Sequence, residues 1–306
     1  MDTIKPILYR PFDMQYIVYS KQVVTRPRSE VMRHMLSRKN VGLITGRQVN
    51  NSFQHVFCAN EIMNDCTVSS GTKERSYLFP LYLYPDNTKD SLWTAEEPIN
   101  TPGGRRPNFS PAFITTISNK LNITFILNGK GDLQQTFGSE DVFNYIYAIF
   151  HSPMYRQRYA EFLKIDFPRL PLTSNAQLFR ELCKLGEKLV SLHLMEKYGQ
   201  NMPKYPVPGS NIVEKVEYTQ PIDTPEQSRV WINKTQYFEG VPPQVWEFHV
   251  GGYQVCQKWL KDRKGRELSY DDIKHYQRIV AALAETIQLM EQIDATIEEH
   301  GGWPIT

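Results

Sequence analysis

The chain is poor in cysteine, the residue of disulfide frameworks and of structural zinc sites. Its 306 residues include four cysteines. Cys58, Cys66, Cys183 and Cys256 are scattered, with no CxxC pair and no histidine at ligand spacing, so buried free thiols are expected and no metal is. No apolar run reaches the roughly 18 residues of a membrane span, and the first residues lack the charged-then-apolar pattern of an export leader. A cytoplasmic address without membrane contact is therefore the expectation.

Catalytic signatures are missing too. An amino-methyltransferase needs an acidic or amide residue before Pro-Pro and an aromatic ring after it. The adjacent prolines here, Val241-Pro242-Pro243-Gln244, have neither. Asn128-Gly129-Lys130-Gly131-Asp132 lacks the third glycine and the strand-then-helix setting of a dinucleotide loop, and is expected to be a hairpin turn. Asp65 with Lys73-Glu74 fits a metal-dependent nuclease only by force, and the seven histidines form no His-Glu-x-x-His pair. The residues therefore suggest neither a catalytic centre nor a cofactor.

Hydrophobic residues make up 41% and aromatics 12%, enough for a sizeable core in one large or two modest domains. The net charge of +2 is small, but it is unevenly spread. Residues 1–50 carry Lys5, Arg10, Lys21, Arg26, Arg28, Arg33, Arg38, Lys39 and Arg47 against Asp2, Asp13 and Glu30. A second basic run spans Lys258, Lys261, Arg263, Lys264 and Arg266, while Glu285, Glu291, Asp294, Glu298 and Glu299 gather near the end. Such segregation can give a positive face that phosphates feel.

The densest local signals lie in 139–171. Ser139 is placed to cap a helix, Glu140 and Asp141 suit its positive end, and Val142, Phe143, Ile146, Ile149 and Phe150 follow at helical spacing. Ser152-Pro153 then starts a second helix with Tyr155, Tyr159, Phe162 and Leu163 on one face, stopped by Asp166-Phe167-Pro168. Further helices are expected over 26–38, 111–121, about 173–197, 253–263 and, from a Ser269/Asp272 capping pair, 270–299. In the last, Tyr276, Val280, Leu283, Ile287 and Met290 make a two-heptad seam that Asp294 breaks. Strand-like runs cover 41–46, 55–70, 77–85, 124–127 and parts of 213–237. Residues 86–110 read as a long polar loop.

The run NYIYAIFHSPMYRQRYAEFLKIDFPRLPL resembles the C-terminal specificity domain of the single-polypeptide (type ISP) restriction-modification enzymes. Tyr9-Arg10-Pro11-Phe12-Asp13, RPRSEVMRHML at 26–36, FPLYLYP at 79–85 and VWINKTQYFEGVP at 230–242 resemble it in the same order, so the likeness spans nearly the whole chain. It implies a DNA target-recognition module that directs a fused or partner adenine methyltransferase, helicase and nuclease. Those parts precede this region in the longer enzymes and are absent from this sequence.

The matching motifs are framework and carry no contact residues, so the site is read from residue chemistry. Base edges are read by Arg or Lys facing guanine and by Asn or Gln facing adenine, and other cations hold phosphates. Arg47, Gln48, Asn50 and Asn51, then Lys73 in Thr72-Lys73-Glu74-Arg75, and Asn233 with Lys234 suit base readout. Arg26, Arg28, Arg105, Arg106, Lys258, Lys261, Arg263, Lys264 and Arg266 suit phosphates. Arg10 and Asp13 suit a structural ion pair as well as a DNA contact.

The resulting expectation is an α+β fold: a β-rich lobe over 1–137, then a helical lobe over 138–306 with a β insert at about 207–250 and a closing long helix over 270–299. Its partner would be double-stranded DNA. The alternatives are a protein-interaction module or a remnant of a larger enzyme without DNA binding of its own.

Overall fold

In the computed structural model, residues 3–36, 39–69, 74–85, 100–221, 224 and 227–306 are described. The amino-terminal half is made of short strands, as its frequent turns require. They are β1 (Ile4–Arg10), β2 (Asp13–Val18), then after α1 (Ser29–Met32) β3 (Gly42–Gly46), β4 (Val56–Ala59), β5 (Ile62–Met63), β6 (Ser76–Pro80), β7 (Tyr82–Leu83) and β8 (Arg106–Pro107). β1 lies between antiparallel β2 and parallel β5. β3 lies between β4 and β6, antiparallel to both, and β7 pairs with β8.

Three expectations need correction in this half. Helix α1 covers four residues rather than 26–38. Pro27 disfavours a helical Arg26, and both Arg26 and Arg28 adopt left-handed backbone, φ 58 and 49. The run 55–70 yields β4 and β5 with turns after them, because Asn64 Oδ1 accepts from the Cys66 amide at 2.9 Å and folds the chain back. The single run expected over 77–85 divides into β6 and β7, and β6 alternates, with Ser76, Leu78 and Pro80 inward and Tyr77 and Phe79 outward. Of the polar loop 86–110, residues 86–99 lie outside the described residues.

Next come α2 (Pro111–Leu121), β9 (Thr124–Ile126) and β10 (Thr136–Gly138). The Gly129/Gly131 segment is not a hairpin: β9 and β10 pair parallel, so the chain crosses over between them. Acids shape that crossover. Asp132 Oδ1 accepts from the amides of Gln134, Gln135 and Thr136, each at 2.8 Å, and Asp141 accepts from those of Gly131 and Gly138 at 2.6 and 2.7 Å. Gly131 has to be glycine because a Cβ there would enter the Thr136 carbonyl.

Four helices follow, α3 (Ser139–His151), α4 (Pro153–Arg158), α5 (Ala160–Ile165) and α6 (Ala176–His193). Ser139 is the first helical residue rather than the cap: its hydroxyl donates to Leu127 O, and Asp141 satisfies the helix start. Ser152 does cap α4, accepting from the Tyr155 amide at 3.0 Å. Non-helical ψ at Tyr159 splits the expected second helix into α4 and α5. Helix α6 is capped by Asn175, and it ends four residues early because Met195 is left-handed. Gly186 lets α6 lie directly on α3, where any Cβ would meet the Asn144 carbonyl.

The insert brings β11 (Glu217–Thr219), β12 (Arg229–Trp231) and β13 (Tyr237–Glu239), a three-stranded antiparallel sheet with β12 central. Then follow α7 (Pro243–Trp246), β14 (His249–Val250), β15 (Tyr253–Gln254), α8 (Val255–Lys261) and α9 (Tyr270–Glu299). The Ser269/Asp272 capping pair forms at the start of α9. Its buried stripe runs through Tyr276, Val280, Leu283, Leu289, Ile293 and Ile297, so Leu289 replaces the expected Ile287 and Met290. Asp294 breaks the seam for a reason: it binds the Ser152 hydroxyl and accepts from the Met154 amide at 2.9 Å, joining α9 to the start of α4. The architecture is α+β. Apolar contacts are continuous from Leu8 to Ile305, with Phe57 and His193 stacked between strands and helices. Cys58, Cys183 and Cys256 are buried thiols in that core, and Cys66 is half-buried.

Candidate nucleic-acid interface

The central strand β3 is buried along most of its length, and at Gly46 it releases the chain into an exposed loop. Arg47, Gln48, Asn50 and Asn51 are all exposed there, while Val49 and Phe53 plug into the core. The loop is braced on both flanks. On one flank, Val49 N donates to Lys164 O at 3.2 Å. Beside that contact Arg47 Nε donates to Asp166 Oδ1 at 3.1 Å, and the guanidinium lies 5.9 Å from the Phe167 ring centre. The Phe167 amide and then Arg47 hold the Asp166 carboxyl below its usual range. On the other flank Glu74 accepts from the Asn50 amide at 2.6 Å and from His55 Nε2 at 3.0 Å. Burial holds His55 below the ordinary imidazole value despite the opposing pull of Glu74, so the neutral ring donates through Nε2. Glu74, weighed from sequence as a nuclease acid, is a buried loop brace.

Gly46 pairs with Ser76, so the segment before β6 lies at the same end of the sheet. Arg75 and Tyr77, at the start of this edge strand, line a groove of about 620 Å³ together with Arg26 and Arg28. The left-handed backbone at both arginines bends this segment along the groove rather than into a helix. Tyr77 meets the Phe167 ring edge-on at 5.1 Å. A continuous surface thus links Arg26 and Arg28 through Arg75, Tyr77 and Phe167 to Arg47. Lys73, expected to read bases here, falls outside the described residues.

Lys234 lies elsewhere, on the exposed β12–β13 turn. Asn233 beside it is buried and builds the turn: its Oδ1 accepts from the Thr235 and Gln236 amides at 3.0 and 2.8 Å, and its Nδ2 donates to Ile212 O at 3.1 Å. Across the same 211–214 stretch, Val213 N donates to Arg266 O at 3.0 Å and Gly265 N to Val213 O at 2.7 Å. Exposed Lys264 and Arg266 therefore neighbour the Lys234 turn, forming a second basic cluster.

Two of the expected phosphate binders are committed inside the fold. Arg105 is buried, donating from Nε and Nη2 to Asn128 Oδ1 at 2.9 and 2.6 Å and from Nη1 to Lys39 O at 2.7 Å, with its guanidinium 3.8 Å over Tyr82. Arg263 closes an ion pair with buried Asp13 at 2.8 Å and stacks 3.5 Å over Trp259. Asp13 thus pairs with a residue 250 positions away and not with Arg10, which reaches Asn64 instead. Arg106 is exposed on β8, Lys258 is half-buried on α8, and exposed Lys261 donates to Gln257.

Sequence reasoning missed the strap 164–169 as part of the site. Nothing near Asp166 in sequence announces a partner 119 residues away. Arg75 was visible as a basic residue in a polar segment, and its exposed alternation with Tyr77 and Phe79 is the signal that marks it.

No curated protein sequence matches the chain. Among solved structures it is similar to the ATP-dependent Type ISP restriction-modification enzyme LlaBIII bound to DNA, at 18% identity and TM-score 0.68 over 95% of this chain and 18% of that one. A nuclease-deletion mutant of the Type ISP enzyme LlaGI with a DNA substrate mimic gives 18% identity and TM-score 0.62, over 95% of this chain and 24% of that one. The DrdV–DNA complex gives 19% and 0.72, over 95% and 28%. The chain therefore spans less than a third of each of these proteins. A family model of the Type ISP C-terminal specificity domain matches residues 1–292, and the chain belongs to that family.

Proposed function

We propose that this domain reads a duplex DNA sequence for a restriction-modification enzyme, and that methyltransferase, helicase and nuclease parts act where it docks. The observation that carries the reading is the doubly braced Arg47 loop at the end of a rigid sheet, continuous with the Arg26/Arg28/Arg75 groove. Asp166 takes the Nε edge of Arg47, which leaves Nη1 and Nη2 for the O6/N7 edge of a guanine, while Gln48, Asn50 and Asn51 suit adenine. The groove arginines suit phosphates on either side, fixing register without reading sequence. In this reading the 1–137 lobe carries the loop and groove, and the 138–306 lobe braces them and adds the Lys234/Lys264/Arg266 cluster. That each of the three similar structures is described with DNA supports it.

Selection from a randomised duplex pool, followed by anisotropy across a salt series, tests the proposal. An enriched asymmetric motif is expected, with a log–log salt slope of about −0.9 for each phosphate held. Absence of duplex binding at low salt would defeat it. Exposed Ile4, Met14, Tyr16 and Val18 on the β1–β2 hairpin favour a second role in docking another protein surface, which would be insensitive to salt.

A further inference from the structure

A second feature adjoins the reading loop. Beneath the strap that holds Arg47 lies an open cavity of about 420 Å³, walled by Phe79, Phe109, Phe113, Phe143, Phe150 and Phe167. Phe79 and Phe167 stand perpendicular, 5.4 Å apart, so ring faces as well as edges bound the space. The Arg47 guanidinium lies 5.9 Å from the centre of the same Phe167 ring. Polar groups are few and specific. Asn108 donates its Nδ2 to Pro80 O at 3.0 Å, which leaves its amide oxygen as an acceptor. Ser110 accepts the Phe113 amide at 3.2 Å, which leaves its hydroxyl as a donor.

Aromatic walls with an acceptor on Asn108 and a donor on Ser110 in the lining match a flat heteroaromatic ring with a hydrogen-bonding edge. Complementary charge lies next to it, since the Arg47 guanidinium is 5.9 Å from the ring centre of Phe167, one wall of the cavity, and a strand passing there meets a cation. An apolar protein side chain would use the rings but neither Asn108 nor Arg47. Resting on the DNA-reading proposal above, we infer that this cavity receives a single nucleobase swung out of the duplex beside the base pair that Arg47 reads. Stacking on the phenylalanines then offsets the cost of unpairing, and that cost is smallest where the base is already mismatched.

The test uses the chain with a panel of duplexes that carry a mismatch or an abasic partner at each successive position of its selected sequence. At one position binding should be about tenfold tighter than to the matched duplex, with the thymine placed there becoming reactive to permanganate. Phe79→Ala and Ser110→Gly, the latter a substitution the cap position of α2 tolerates, should abolish that gain while matched-duplex affinity stays near wild type. Equal affinity for matched and mismatched duplexes at every position overturns the inference and leaves duplex reading intact. A gain that survives both variants places the swung-out base elsewhere and also overturns it. No binding to any duplex at low salt removes the DNA-reading proposal and this one together.

Discussion

Replacing Arg263 by alanine separates a structural cation from a phosphate contact. From sequence this residue belongs to a basic run suited to DNA, whereas in the fold it is nearly buried and neutralises Asp13, whose side chain is 1% exposed. The variant leaves Asp13 without its two guanidinium hydrogen bonds, at 2.8 and 3.4 Å, in a site water barely reaches. Removing one member of such a pair costs about 3–5 kcal/mol, because the stranded charge keeps its desolvation penalty. Loss of stacking on Trp259 adds to this. Against a total stability of about 5–15 kcal/mol, the urea midpoint should fall by about a fifth or more with little change in slope. The double variant Arg263→Met/Asp13→Leu should recover much of the loss. DNA affinity of the folded fraction should keep its salt slope. A stability change below about 1 kcal/mol, with the slope reduced by about one, would refute the assignment and return Arg263 to the interface.

The exposed Arg47–Asp166 pair should behave oppositely. Asp166→Asn should shift stability by less than about 1 kcal/mol yet relax base preference at the position Arg47 reads, as measured by competition with single-base variants of the selected site. Gly186→Ala should prevent α6 from seating on α3 and yield insoluble or molten protein by near-ultraviolet circular dichroism, and wild-type-like spectra would contradict the close approach. Acid should destabilise the fold. Burial keeps His55, His151 and His275 below the ordinary imidazole value and takes His193 down to about 3. Above about pH 6.5 these groups are neutral folded or unfolded and the stability is full. As the pH falls below that, the unfolded chain takes up protons first. Each histidine then removes up to about 1.4 kcal/mol per pH unit until its folded value is passed. Equal urea midpoints at pH 8 and pH 5 would contradict this.

Local chemistry made the helical framework legible. Ser152-Pro153 and the Ser269/Asp272 pair set helix starts where their hydrogen-bonding capacity demands, and the amphipathic stripe of α6 lies on α3 as its periodicity requires. Single-residue backbone states were not legible. Left-handed Arg26 and Arg28 shorten α1, and the acid-bound crossover at Asp132 makes a parallel pair where a hairpin was expected. The site was half legible for the same reason. Exposure of Arg47 follows from its place after a buried strand, but the partners of Arg105, Asn233 and Arg263 are set by tertiary contacts that residue type does not encode. A basic residue reads the same whether its counter-charge is a phosphate or Asp13.

The most direct test compares selection from a randomised duplex pool by the wild-type chain, Arg47→Ala and Arg28→Ala. One enriched motif is expected for wild type. Arg47→Ala should lose preference at a single position, a discrimination of about 1–3 kcal/mol. Arg28→Ala should keep the motif and bind all sequences more weakly, with a shallower salt slope. An unchanged motif with Arg47→Ala, or no motif for the wild-type chain, would contradict the DNA-reading proposal.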